Sequence, residues 1–253
     1  MFKQRIITID TDWASDDAIT HMAQILADNS VKATWFVTHT SKAVMNLLNY
    51  NELFEVGLHP NFLPGTTQGD TPATILGYLK TLFPKAVSVR THALFQSTPL
   101  LNMMRRDFNL LYDVSILLPC TPNIMPHEIF YERGVSLIRI PFFWEDDIEM
   151  YNHRPIFHLS HQKYNIEGLQ IFNFHPVHVA LNSTSMEAYA QTKMVLPMDA
   201  CTLSQLQKYG NPQGVGAGTF FKEVVECIKH STYAPGLTIS EVALKWKYNS
   251  EKL

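Results

Sequence analysis

The sequence predicts an α/β protein built as a barrel of parallel strands. Three observations lead there. Short apolar runs alternate with amphipathic segments through the first half of the chain. Polar residues able to do chemistry recur where those runs end, as they do on the functional rim of such barrels. The length of 253 residues, with 46% apolar content, suits one such domain spanning 1–253.

The elements follow in order. "RIITI" reads as a strand and "SDDAITHMAQILADN" as a helix, with Ser15 as its N-cap and Asp16 and Asp17 in the first turn, where the helix dipole favours acids. "KATWFVT" is a second strand and Ser41 to Tyr50 a second helix. "LFEVGLH" is a third strand, and "GDTPATILGYLKTLFP" a helix with Pro72 in its first turn and a stop before Pro84. "AVSVRTH" and "NLLYDVSI" are the fourth and fifth strands, with a helix from Thr98 to Asp107 between them. In the less regular second half, "VSLIRIPFFW" and "LQIFNFHP" read as strands. Helices are expected at Ser185 to Gln191, Thr219 to His230 and Ile239 to Trp246. The Pro-rich segment 117–134 and "YGNPQGVGAG" at 209–218 are expected as loops beside a cleft. The latter lacks the spacing and Lys of a phosphate loop.

Composition excludes several classes. A net charge of −3 with no basic run argues against nucleic acid or an anionic membrane as partner. Cys120, Cys201 and Cys227 form neither a disulfide framework nor a CxxC site, which suits reduced thiols. The N-terminus shows no signal-peptide pattern, and no apolar run approaches the roughly 20 residues of a membrane helix. A soluble, cytoplasmic protein is the expectation, with its oligomeric state unread.

The residues of chemical interest are Asp10 and Asp12 after the first strand, His59 after the third, and Arg90 and His92 at the fourth. Asp113, Trp144, the Glu145–Asp147 acids, His175 and His178 complete the set. Carboxylate with imidazole is the donor set of a hydrolytic metal such as Zn2+, and a further carboxylate and histidine can serve as base and acid. Plainer readings compete. Asp16 and Asp17 are helix-start residues, whereas Asp10 and Asp12 are read on one strand face, which turn chemistry alone does not require. His59 is equally a core histidine, His178 a packing neighbour of His175, and His153, His158 and His161 members of a polar irregular segment. His21, His39, His127 and His230 read as helix-face or loop residues. Trp35, Phe36, Phe142 and Phe143 read as core.

The ordered pieces "TIDTDW", "KATWFV", "EVGLHPN", "VRTHALFQSTPLL…LLYDVSI", "IPFFW" and "FNFHPVH" resemble the polysaccharide deacetylases of carbohydrate esterase family 4, including their WbmS-like group. The similarity runs over residues 5–180, and the order of the pieces carries it more than any one motif. The resemblance implies a distorted (β/α)7 barrel and metal-dependent removal of N-acetyl groups from amino sugars. It implies Asp10 as general base, Asp12 and His59 as metal ligands, Arg90 as the residue that orients the base, and His175 as acid. Trp13, which closes the first motif, and Trp144 are then expected to contact substrate. The role of Asp113 stays open.

One departure stands out. The family carries a second metal histidine four residues after the first, and that position here is Leu63. His92, two residues after Arg90 and read on the same strand face, is the leading substitute; His178 and Asn61 stand behind it, an amide oxygen being a poor Zn2+ ligand. The expected function is removal of an N-acetyl or N-formyl group from an amino sugar of a surface polysaccharide or its precursor. The alternatives are an inactive barrel that binds a glycan or partner protein, and an amidase acting on a non-sugar substrate.

Overall fold

In the computed structural model, which describes residues 3–132 and 134–250, one curled sheet carries nine strands. They are β1 (Lys3–Asp10), β2 (Ala33–Val37), β3 (Phe54–Leu58), β4 (Ser88–Val89), β5 (Tyr112–Asp113), β6 (His127–Glu132), β7 (Val135–Arg139), β8 (Trp144–Glu145) and β9 (Gly168–Phe174). The spatial order is β6-β7-β5-β4-β3-β2-β1-β9-β8. Every pairing is parallel except β6 with β7. The outermost strands β6 and β8 do not pair among the described residues, so the barrel is incompletely closed, the distorted α/β form that was expected.

Among the described residues, ten α-helices surround the sheet: α1 (Asp16–Asp28), α2 (Lys42–Leu47), α3 (Pro72–Leu82), α4 (Thr98–Phe108), α5 (Asp146–Met150), α6 (Pro176–Leu181), α7 (Met186–Lys193), α8 (Leu203–Tyr209), α9 (Ala217–Lys229) and α10 (Ile239–Ser250). Their ends follow local chemistry. Ser15 caps α1 by accepting the Ala18 N–H, with Asp16 and Asp17 in the first turn. Pro72 opens α3 behind a Thr71–Thr74 capping box, and Ser97 caps α4 ahead of Pro99.

Helices on both faces of the parallel strands make those strands apolar on both sides. Ile6, Ile7 and Ile9 of β1 are fully buried, as are Trp35 and Phe36 of β2. β3 is pressed tightly between its neighbours: a Cβ on Gly57 would sit 2.5 Å from Ser88 Oγ and 2.8 Å from the Phe36 ring. That close approach brings the ends of β3 and β4, and so His59 and Arg90, side by side.

Three expectations need correction. Segment 117–134 is not all loop: its second part is β6, an antiparallel edge strand hidden by the flanking prolines. The expected strand "VSLIRIPFFW" divides into β7 and β8, because Pro141 has no N–H to continue the ladder. The fourth and fifth strands shrink to two paired residues each, so the polar residues after them stand in turns.

Candidate metal centre

The rim at the C-terminal ends of β1, β3, β4 and β9 gathers the candidates into two layers. The outer layer stands on turns. β1 ends at Asp10, and the chain then enters the left-handed region at Asp12 (φ 40°) and Trp13 (φ 54°). The Trp13 N–H donates to Thr38 Oγ1 (3.2 Å), which steadies the turn. Asp10 and Asp12 therefore do not share a strand face; the turn carries Asp12 outward. β4 likewise stops at Val89, and His92 opens a 3-10 turn with Ala93 and Leu94 at φ 52° and 53°. Arg90 and His92 are thus not on one strand face either.

These turns bring three donor atoms together. Asp12 Oδ1 lies 3.1 Å from His59 Nε2 and 3.0 Å from His92 Nδ1, and the two nitrogens are 3.3 Å apart. A tetrahedral Zn2+ with bonds of about 2.0–2.1 Å has ligand–ligand edges of roughly 3.3–3.4 Å. The observed triangle is close to one face of such a tetrahedron, and its O,N,N chemistry fits a divalent ion. His59 is buried, and its Nδ1–H donates to the Arg90 carbonyl (2.8 Å), which leaves the Nε2 lone pair for the triangle. Burial pushes the Asp12 carboxyl up, but its hydrogen bonds with His59 and His92 outweigh that and hold it well below the usual range. The His92 imidazole is raised, chiefly by its hydrogen bond to Asp12.

The other substitutes for Leu63 lie elsewhere. Leu63 is 37% exposed, and its N–H donates to Asn61 Oδ1, so the Asn61 amide oxygen serves a turn. His178 is buried with Nδ1 on Ser183 Oγ (3.1 Å), and burial pushes its imidazole down to about 4.

The inner layer stands on strands or directly after them and is buried. Asp10 Oδ1 accepts from Arg90 Nη1 (3.0 Å), and Asp10 Oδ2 accepts from Asn173 Nδ2 (2.9 Å). Arg90 is fully buried between the rings of Phe36 and Phe142, and it also donates to Thr8 Oγ1, the Val114 carbonyl and Asn173 Oδ1. Asn173 gives its other N–H to Glu145 Oε1 (2.9 Å). Burial, aided by Asp147, pushes the Glu145 carboxyl up to about 8. His175 follows β9 and takes the N-cap position of α6 ahead of Pro176. Asp146 takes both its Nδ1–H (2.6 Å) and its backbone N–H (2.8 Å). Its Nε2 then points toward Asp12 Oδ2, 3.5 Å away. Burial favours neutral His175, but Asp146, Asp147 and Asp12 outweigh it and hold the imidazole well above the ordinary value.

Asn173, Glu145 and Asp146 were not assigned roles from the sequence. The available signal was Asn173, polar in the apolar run "LQIFNF" and two residues before His175, hence on the same strand face. Asp113 belongs to a structural pair: it accepts from Arg139 Nε and Ser115 Oγ. Trp13 is half-buried, edge-on to His92 with centroids 5.7 Å apart, and lines a cavity of about 590 Å3 with His39 and Asp199. Trp144, expected to contact substrate, is instead 3% exposed among Phe157, Phe172, Phe174 and Phe220, with its indole N–H on Glu149.

Comparison with known proteins matches the WbmS-like polysaccharide deacetylase family to residues 7–193. Among solved structures, a protein from Bordetella bronchiseptica described as a polysaccharide deacetylase involved in O-antigen biosynthesis is 31% identical. The match covers 88% of this chain and 90% of that one, with a TM-score of 0.74. The peptidoglycan deacetylase PdaC from Bacillus subtilis shares the fold at 11% identity, with 99% and 95% of the two chains covered and a TM-score of 0.51. No curated protein sequence matches the chain.

Proposed function

We propose, because the chain belongs to the WbmS-like polysaccharide deacetylase family, that it is a metal-dependent hydrolase removing an N-acetyl or N-formyl group from an amino sugar of a surface polysaccharide or its precursor. The observation that carries this reading is the Asp12–His59–His92 triangle, in which His92 supplies the donor that Leu63 cannot. The alternative of an inactive barrel that binds a glycan or partner protein rested on the missing third donor, and the triangle counts against it.

A divalent ion, Zn2+ by the donor set, would be held by Asp12, His59 and His92 and would supply polarisation of the acyl carbonyl and a more acidic water. The remaining work falls to the chain. Asp10 accepts the proton of the attacking water, while Arg90 and Asn173 each hold one of its oxygens and fix its direction. His175 carries a proton and presents Nε2 to the departing amine, and Asp146 fixes the ring and its tautomer through Nδ1. Among the described residues, no helix is long and apolar enough to cross a membrane.

The test pairs metal analysis with turnover. Purified protein should carry about one divalent ion per chain and release acetate or formate from N-acylated amino sugars. Protein that binds no metal and turns over no N-acyl sugar would end this reading.

A further inference from the structure

Strand register places three polar side chains in a row beside the reaction centre. Thr8 of β1 stands opposite Asn173 of β9, and Asn173 stands opposite Glu145 of β8. Asp10 lies two residues after Thr8, on the same strand face. All four are buried, with Glu145 at 8% exposure the most accessible.

Asn173 is the hub of this row. Its Oδ1 accepts from Thr8 Oγ1 (3.0 Å) and from Arg90 Nη1. Its two N–H groups go to Asp10 Oδ2 and Glu145 Oε1, each at 2.9 Å. Both donors and both acceptor positions of the amide are thereby used. The bond that Asn173 gives to Asp10 therefore depends on an acceptor at Glu145 for its other N–H. Glu145 occupies the N-cap position of α5, yet its side chain makes no cap bond there and serves Asn173 instead.

Charge decides the state of that carboxyl. Asp10, Glu145 and His175 each offer an atom within 4.8 Å of the others. The two cations here are committed: Arg90 pairs with Asp10 at 3.0 Å, and His175 with Asp146 at 2.6 Å. Among the described residues no cation pairs with Glu145, and two more acids, Asp146 and Asp147, follow it directly in the chain. A buried carboxylate without a cation is costly, and two carboxylates this close favour a proton on one of them. Asp10 has the guanidinium, so the proton falls to Glu145. Burial, with Asp147 and Asp10 behind it, pushes the Glu145 carboxyl the same way and outweighs His175 and Arg90.

We propose that Glu145 is a positioning residue that keeps its proton: Oε1 accepts one Asn173 N–H, which directs the other at Asp10, and Oε2 carries the hydrogen. The effect on rate rests on the deacetylase reading, in which Asp10 is the base. A neutral acid holds the amide without setting a second anion beside that base. A glutamine can do the same work, since its carbonyl accepts the same N–H and carries no charge. A role as carboxylate would not survive that exchange.

The experiment compares Glu145→Leu with Glu145→Gln in protein loaded with Zn2+, on N-acetylglucosamine and N-formylglucosamine oligomers. Glu145→Leu leaves the Asn173 N–H without its acceptor and should lower kcat about 10–100-fold, with KM little changed. Glu145→Gln should recover all but about threefold of that loss. Carbon-13 NMR of protein labelled at its glutamate carboxyls reads the proton without turnover. One carboxyl should stay protonated at pH 7 and should vanish from the spectrum of Glu145→Gln. Equal loss of kcat in both variants, an unchanged kcat in Glu145→Leu, or a Glu145 carboxyl ionised at pH 7 overturns the proposal. A protonated Glu145 in protein that turns over no N-acyl sugar leaves the buried acid standing and removes the deacetylase reading instead.

Discussion

The two layers of the site are held by different means. The inner layer, Asp10, Arg90, Asn173, Glu145, Asp146 and His175, is at most 8% exposed, sits on or directly after strands, and has its hydrogen bonds filled by the chain itself. The outer layer places Asp12 and His92 on turns, each with about a quarter of its side chain exposed. Those turns contain four non-glycine residues at positive φ, a conformation costing on the order of 1–3 kcal/mol each. Their three ligand atoms crowd one another, the His59 and His92 ring nitrogens lying 3.1 and 3.0 Å from Asp12 Oδ1. On the proposed reading the base and acid are thus preassembled, whereas the turns hold three donors that a cation would join.

The largest expected effect separates the layers most cleanly. Asp10→Asn should cut kcat by roughly 10^2–10^4-fold while bound metal, measured by elemental analysis, stays at the wild-type level. Loss of metal from that variant would show that the layers are not independent.

The next effect concerns stability beneath the inner layer. His178 is held neutral in the fold with its imidazole down to about 4, against an ordinary value near 6.5. Between those values the unfolded chain binds the extra proton and the folded one does not. Stability therefore rises with pH across that window, by about 3 kcal/mol for this group, and is level above it. Denaturant melts of His178→Asn from pH 4 to 7 should show a correspondingly flatter slope; an unchanged slope would mean that another group sets it.

Asp146→Asn comes third. Because Asp146 orients His175 without touching the reacting atoms, kcat should fall about 10–100-fold with KM little changed. A rise in KM alone would place Asp146 in substrate binding. The smallest effect belongs to Leu63. It lies outside the donor triangle and is partly exposed, so Leu63→Ala should leave metal affinity within twofold and stability within about 0.5 kcal/mol. Impaired metal binding there would reopen the question of what stands in for the missing histidine.

The contrast between layers also explains what could be read from sequence. Strand and helix identities through α4 followed from periodicity and caps: Ser15 with Asp16 and Asp17, Pro72, and the apolar alternation of β1. The strand-end positions of Asp10, His59, Arg90 and His175 were visible for the same reason. Turn geometry was not. Nothing in the residue types Asp12-Trp13 or Ala93-Leu94 announces positive φ, so Asp12 and His92 were read onto strand faces they do not occupy. Trp144 was misplaced because an aromatic beside a cleft and an aromatic in the core look alike until packing is known. Asn173, Glu145 and Asp146 depend on pairing between β1, β9 and β8, which links Asp10 to Asn173 across 163 positions and Asn173 to Glu145 across 28.

The most direct test of the central claim is X-ray anomalous scattering at the zinc edge from crystals grown with Zn2+. The account predicts a single strong peak bonded to Asp12 Oδ1, His59 Nε2 and His92 Nδ1 at about 2.0–2.2 Å. A peak that leaves His92 unbound, or no peak in that triangle, would contradict it.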